Sequence, residues 1–140
     1  RSLTLNSASI PGLDFISTGG SLDRIAKTKT IADYDPAYKY LNVCVTAVEN
    51  DSTCFKCVRT MLTLDALGKL DKFSAVFDVQ YYMNHRKKYI ERMYADGKFG
   101  NDESLLLLFP LFKSELTIRV KISAIIHKVQ NAVRCRIFKR

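Results

Sequence analysis

Three cysteines, Cys44, Cys54 and Cys57, fall within a 14-residue stretch, and two of them form a Cys-x-x-Cys turn. A turn of that spacing presents two thiolates to one ion, and an upstream extended segment can deliver a third. A structural zinc site closes with four ligands. For the fourth the sequence offers Asp51 in the same loop, His85 or Cys135 from distant helices, or water. Two other readings compete. The thiols can be buried apolar groups that hold no metal, or Cys54-Phe55-Lys56-Cys57 can be a redox pair whose thiolate is favoured by a helix dipole and Lys56. Metal or redox chemistry of this kind belongs to a reducing compartment, so the expected location is the cytoplasm.

A second stretch, Thr18-Gly19-Gly20-Ser21-Leu22-Asp23-Arg24, is a glycine turn opening a helix, where free amides and the helix dipole attract an anion. It matches neither G-x-x-x-x-G-K-[ST] nor G-x-G-x-x-G, and an ordinary strand-to-helix turn is the plainer reading. Arg24 and Lys27, three residues apart on one helical face, can nevertheless reach a common phosphate. Asp33, Asp35, His85 and His127 form no acid/base or triad spacing, and Cys135 stands between Arg134 and Arg136.

The elements that must position these residues follow from periodicity and turn chemistry. Leu3 to Leu5 and Leu13 to Ile16 read as short strands around the turn Ile10-Pro11-Gly12, and Ser21 has the chemistry to cap a helix from Leu22 to Ala32. Asp35-Pro36 restarts a helical turn, and Tyr40 to Val45 alternates as a strand carrying Cys44 near its end. From Cys54 the period is helical. Val58, Met61, Leu62 and Leu67 share a face closed by Gly68, and Asp78 caps a second helix that Asp96-Gly97 ends. A short apolar helix from Glu103 to Phe109 stops at Pro110. Ile118, Ile122, Ile125, Ile126, Val129 and Val133 then form the apolar stripe of a long helix with a basic opposite face.

The run Leu105 to Phe112 is apolar all round, which calls for enclosure on more than one side, by a further domain or a second copy of the chain. It is far below the ~20 residues of a membrane-spanning helix, so no membrane partner is expected. Charge is unevenly shared: residues 1–78 carry 9 Lys/Arg and 9 Asp/Glu, whereas 79–140 carry 13 against 5 and hold the whole excess of +8. Such a basic half suits an acidic partner or nucleic acid, the bland alternative being solvated helix faces.

Taken in order, Gly19-Gly20-x-Leu22-x-Arg24-x-x-Lys27, a strand ending at Cys44, Cys54-x-Lys56-Cys57-x-Arg59-Thr60 and Gly68-x-Leu70 form a pattern over roughly residues 15 to 75. The pattern resembles the C-terminal half of PP-loop ATP pyrophosphatase proteins, the group related to 7-cyano-7-deazaguanine synthase and asparagine synthetase. The resemblance implies an enzyme that adenylates a carbonyl oxygen and releases pyrophosphate, with ATP and Mg held by an N-terminal Ser-Gly-Gly-x-Asp-Ser loop. Ser17-Thr18-Gly19-Gly20-Ser21-Leu22-Asp23 is out of register with that loop, so the nucleotide-binding part is expected upstream of Arg1. It further implies nucleotide contacts from Gly19, Gly20, Arg24, Lys27 and Arg59. Asp51 stands where relatives place an additional zinc-binding cysteine, giving the metal set Cys44, Asp51, Cys54 and Cys57.

The fold expected from all of this is α+β, predominantly α: short N-terminal strands and a cysteine knuckle followed by a helical bundle, as the C-terminal portion of a larger α/β nucleotide-binding protein. Residues 1–78 form the PP-loop-like part with the knuckle, and 79–140 a basic helical extension. The expected function is that of a ligase-type enzyme whose C-terminal part is silent alone. The alternative is a non-catalytic cysteine-knuckle module that binds nucleic acid or another polyanion through its basic helices, and Leu105 to Phe112 leaves room for a homo-oligomer.

Overall fold

The computed structural model describes residues 21–100 and 102–137, and every regular element among them is helical. In chain order these are α1 (Arg24–Ile31), α2 (Ala37–Tyr40), α3 (Phe55–Ala66), a 3-10 turn (Leu70–Phe73), α4 (Val79–Phe99), α5 (Glu103–Leu106) and α6 (Ile118–Ile137). The α+β expectation is corrected accordingly: the described residues contain no strand. Leu3 to Leu5, Leu13 to Ile16, Gly19 and Gly20 lie outside the described residues.

The strand expected from Tyr40 to Val45 is replaced by the end of α2 and an unpaired extended segment. A strand needs a neighbour's ladder for its amides and carbonyls. Here one side chain takes that place. Asn50 Oδ1 accepts from the amides of Val43 at 2.9 Å and Cys44 at 3.2 Å, while its Nδ2 donates to the carbonyls of Leu41 at 2.7 Å and Val76 at 3.0 Å.

Helix ends follow local chemistry. Asp23, not Ser21, caps α1: its carboxylate accepts from the Ala26 amide at 2.7 Å, so the helix starts two residues later than expected. α3 ends as its glycine predicts. Gly68 adopts φ +64°, its amide donates to Asp65 O at 2.9 Å, and the Lys69 amide donates to Leu64 O at 2.9 Å, the paired bonds of a Schellman motif. Asp78 caps α4 through the Tyr81 amide at 2.8 Å. Gly97 does not end α4, which runs on to Phe99. A Cβ at Gly97 would stand 3.0 Å from the Phe109 ring, so this glycine serves close packing of the following segment.

α3 forms the centre of the core, with Cys57, Met61 and Leu64 fully enclosed. Phe73, Phe77, Tyr82, Ile90, Met93, Leu105, Leu108 and Phe112 close around it from the 3-10 turn, α4 and the α5 region. The contacts cross residue 78 freely. The Tyr82 hydroxyl donates to Asp65 at 2.8 Å, Arg86 Nε donates to the same carboxylate at 2.7 Å, and the Arg86 guanidinium also pairs with Glu115.

Two apolar stretches sit differently from their sequence expectation. In Leu105 to Phe112 only Leu105, Leu108 and Phe112 are buried, so one face is enclosed while Leu106, Leu107 and Leu111 remain exposed. Among the described side chains of α6 the buried ones are Val120 and Ala124, and Ile118, Ile122, Ile125, Ile126 and Val129 face outward. No helix among the described residues is long and apolar enough to cross a membrane.

Candidate metal centre

The loop between α2 and α3 folds back on the N-terminus of α3 and brings Cys44, Asp51, Cys54 and Cys57 together. One ligand atom from each lies within 4.8 Å of all the others, close enough to hold one metal ion. Cys44 Sγ and Cys54 Sγ stand 3.8 Å apart. A disulfide would require about 2.05 Å, and all three thiols are free. Two thiolates bound at about 2.3 Å to one tetrahedral ion stand about 3.8 Å apart. The observed spacing fits two ligands of one ion, and it is also an ordinary contact distance between two thiols.

Each ligand is placed by a local device. Cys54 is the N-cap of α3, and its sulfur accepts from the Cys57 amide at 3.4 Å. Cys57 follows one turn into α3 and is completely buried. Asp51 Oδ1 accepts from the amides of Thr53 at 2.9 Å and Cys54 at 2.8 Å, and its Oδ2 accepts from the Thr46 hydroxyl at 2.6 Å. These three bonds fix the carboxylate beside the sulfurs and leave it lone pairs for an ion. Cys44 is brought in by Asn50, which binds its amide.

Ser52 completes the loop in a left-handed conformation, φ 56°, unusual for a residue with a Cβ. It is buried, and its hydroxyl accepts from the Asp78 amide at 2.8 Å, so the loop is pinned to the start of α4. The strain buys a crossing point between knuckle and bundle.

The electrostatics of the ligands differ. The Thr46 hydroxyl, first, and the amides of Cys54 and Thr53 hold the Asp51 carboxyl well below the usual carboxylate range. Burial, first, and the bond with Cys54 push the Cys57 thiol well up. The Thr46 hydroxyl at 3.1 Å, first, and the Asp51 backbone lower the Cys44 thiol. A hydroxyl has one proton, and the shorter contact to Asp51 claims it, so the pull on Cys44 is the smaller of the two. Thus a carboxylate is ready for a cation, while Cys57 has a proton to give up.

No protein-family model matches the chain, and no curated protein or solved structure matches it either.

The remaining residues singled out in the sequence are placed as follows. Arg24 and Lys27 lie exposed on α1, and the first-turn amide of Ala26 is taken by Asp23. Arg59 is buried: its Nη1 donates to Ser104 Oγ at 2.9 Å and lies 3.6 Å from Asp102, and its guanidinium sits 4.6 Å over the Phe55 ring. Burial, first, and the charge of Arg24 lower its pKa. Its Nε has no partner among the described residues. His85 takes no part in the cluster; its Nδ1 lies 2.8 Å from Tyr81 O and its ring stacks on Tyr81. The side chains of His127, Val133 and Cys135 lie outside the described ones.

Asn50, Ser52 and Thr46 are the site residues that sequence reasoning missed. Asn50-Asp51-Ser52 carries a readable signal, since Asp two and three residues before free amides forms an Asx turn at a helix start. Nothing in the sequence says which carbonyls Asn50 will bind.

Proposed function

We propose that the chain is a non-catalytic helical binding module whose loop and core are stapled by a structural zinc ion held by Cys44, Asp51, Cys54 and Cys57. The observation that carries this reading is the 3.8 Å separation of Cys44 and Cys54 within a set of four ligand atoms all closer than 4.8 Å. Three thiolates and one carboxylate oxygen suit zinc, whose filled d shell accepts a tetrahedron of sulfur and oxygen donors. Four protein ligands leave no open position for a catalytic water, which favours a structural over a hydrolytic role.

Cobalt(II) titration of the metal-free chain tests the site, because thiolate-to-cobalt charge transfer and tetrahedral visible bands appear only when the ligands close around one ion. Zinc should displace the cobalt one for one. Fewer than about 0.2 equivalents of zinc retained after reconstitution, with all three thiols reacting freely with a disulfide reagent, would overturn the reading.

What the module binds is addressed by a second observation. Lys98, Lys113 and Lys121 come from α4, the segment after α5, and α6 to rim one groove of about 320 Å³, with Tyr94 stacked on Phe109 beside them at 5.2 Å. None of these lysines has an ion-pair partner among the described residues. A phosphate-rich polyanion fits such a rim, and its binding must weaken steeply with salt. Retention on heparin at low salt that persists in a K98Q/K113Q/K121Q variant would count against the groove. The adenylating-ligase reading rests on the resemblance alone, and Arg59, one of the nucleotide contacts it implies, is already engaged by Ser104 and Asp102.

A further inference from the structure

α6 is seated on α4 by two small or branched residues, Val120 and Ala124, both buried. At about 100° per residue, the positions 118, 122, 125, 126 and 129 gather on the side of the helix opposite that contact. They are Ile118, Ile122, Ile125, Ile126 and Val129, and they are 44–75% exposed. A packed helix normally turns its apolar stripe inward. This one uses its narrow side for the core and presents its broad apolar side to solvent, as interaction surfaces do.

The spacing and the charge of the stripe identify its occupant. Ile118, Ile122, Ile125 and Val129 are separated by four, three and four residues, the step of a helix-on-helix seam. β-branched side chains at such positions have few rotamers to lose on packing. Arg119 borders the stripe on one side, and Lys121 and Lys128 on the other. Over its whole length, Ile118–Ile137, α6 carries five Lys/Arg and no Asp/Glu. A second copy would set cation against cation along both flanks. Residues 1–20 supply one acid, Asp14, against Arg1, and so offer no charge complement. A nucleic acid would satisfy the cations and leave the isoleucines wet. An anionic bilayer would accept both, but the stripe contains no Trp, Tyr or Phe, the residues that anchor interfacial helices.

We propose that the outward stripe of α6 docks an acidic amphipathic helix of a partner protein, with Ile118, Ile122, Ile125 and Val129 in the seam and Arg119, Lys121 and Lys128 facing its carboxylates. This does not rest on the metal reading, since α6 contributes nothing to the cysteine cluster.

Fluorescence anisotropy with a labelled three-heptad peptide, Leu at the seam positions and Glu at the flanks, tests it on the full chain. Saturable one-to-one binding is expected. I122S/I125S should weaken it about tenfold or more while leaving the far-ultraviolet circular dichroism and the melting temperature unchanged, because both side chains are already exposed. R119E/K121E/K128E should lose the Glu-flanked peptide and acquire a Lys-flanked one. K98Q/K113Q should leave the affinity unchanged, since both lysines lie off α6 and its seam. A scrambled peptide of the same composition should not bind.

Four results would overturn the proposal: no saturable binding by the native chain; equal binding of Glu-flanked, Lys-flanked and scrambled peptides; concentration-dependent self-association in light scattering that I122S/I125S abolishes, which assigns the stripe to a second copy; or flotation with phosphatidylcholine–phosphatidylserine vesicles in the absence of peptide binding, which assigns it to a bilayer. A large fall in melting temperature for I122S/I125S would equally overturn it, by showing the stripe to be covered within the chain.

Discussion

At the scale of single residues, Asn50 does the work of a missing strand. Four backbone groups depend on its amide: the amides of Val43 and Cys44 and the carbonyls of Leu41 and Val76. Asn50→Ala leaves three of them to find water in a half-buried loop, the Cys44 amide keeping Asn42 Oδ1 at 3.0 Å. The expected loss is about 2 kcal/mol, since an unsatisfied buried polar group costs about 1–3 kcal/mol and some of these reach solvent. Urea denaturation checks this, and metal affinity should fall in parallel because Cys44 is no longer held. Gly68 offers a cleaner case. Its φ of +64° lies in the left-handed region, and a Cβ there meets nothing within 4 Å. Gly68→Ala is therefore penalised by backbone conformation alone, about 1 kcal/mol, and urea midpoints should shift accordingly with metal content unchanged. The contrast shows what was legible. A glycine closing a periodic apolar run announces its role, because the αL cap is a local requirement. Asn50 does not, because its partners at residues 41 and 76 are fixed only by the tertiary fold.

At the scale of elements, α3 and α4 are locked by Asp65, which accepts from the Tyr82 hydroxyl at 2.8 Å and from Arg86 Nε at 2.7 Å. Burial, first, and then the charge of Asp65 push the Tyr82 pKa well above its usual 10.0. A group whose pKa is raised by folding stabilises the folded state fully below its unfolded pKa and ceases to do so as the pH climbs past it. The native chain should consequently lose stability from about pH 10 upward, and Tyr82→Phe should show a shallower alkaline decline. At neutral pH the Phe variant gives up one hydrogen bond to a carboxylate, about 1–2 kcal/mol. Melting curves from neutral to alkaline pH for both proteins decide it; identical alkaline slopes would remove Tyr82 from the account. Helix existence was readable because periods, caps at Asp78 and the Gly68 stop are local. Direction was not. The stripe on α6 and the run Leu105 to Phe112 both have the composition of a core, yet burial follows what stands opposite: Val120 and Ala124 face α4, and only every third or fourth residue of the leucine run meets it. The strand from Tyr40 to Val45 failed for a related reason, since alternation reports extended backbone and says nothing of a partner.

At the scale of the whole molecule, the cysteine cluster joins three regions: the loop after α2, the start of α3 and, through Ser52 and the Asp78 amide, the start of α4. An ion there ties the early chain to the bundle, so removing it should loosen the molecule cooperatively. With zinc about a thousandfold above its dissociation constant, the bound state gains about 4 kcal/mol. At about 3 °C per kcal/mol for a chain of this size, a strong chelator should lower the melting temperature by about 12 °C. The pH dependence follows from where the protons are. Burial keeps the Cys57 thiol protonated through neutral pH in the metal-free protein. Binding must therefore displace that proton, and the metal-bound state carries fewer protons than the free one. Linkage then makes affinity rise by at least about tenfold per pH unit between about pH 6.5 and 8.5, whereas Asp51, already ionised across that range, adds nothing to the slope. Competition against a zinc chelator of known affinity, at several pH values, measures the slope. A flat profile would mean that binding releases no proton, and Cys57 would then not be the buried, protonated thiol that the ion must displace a proton from to join these three regions.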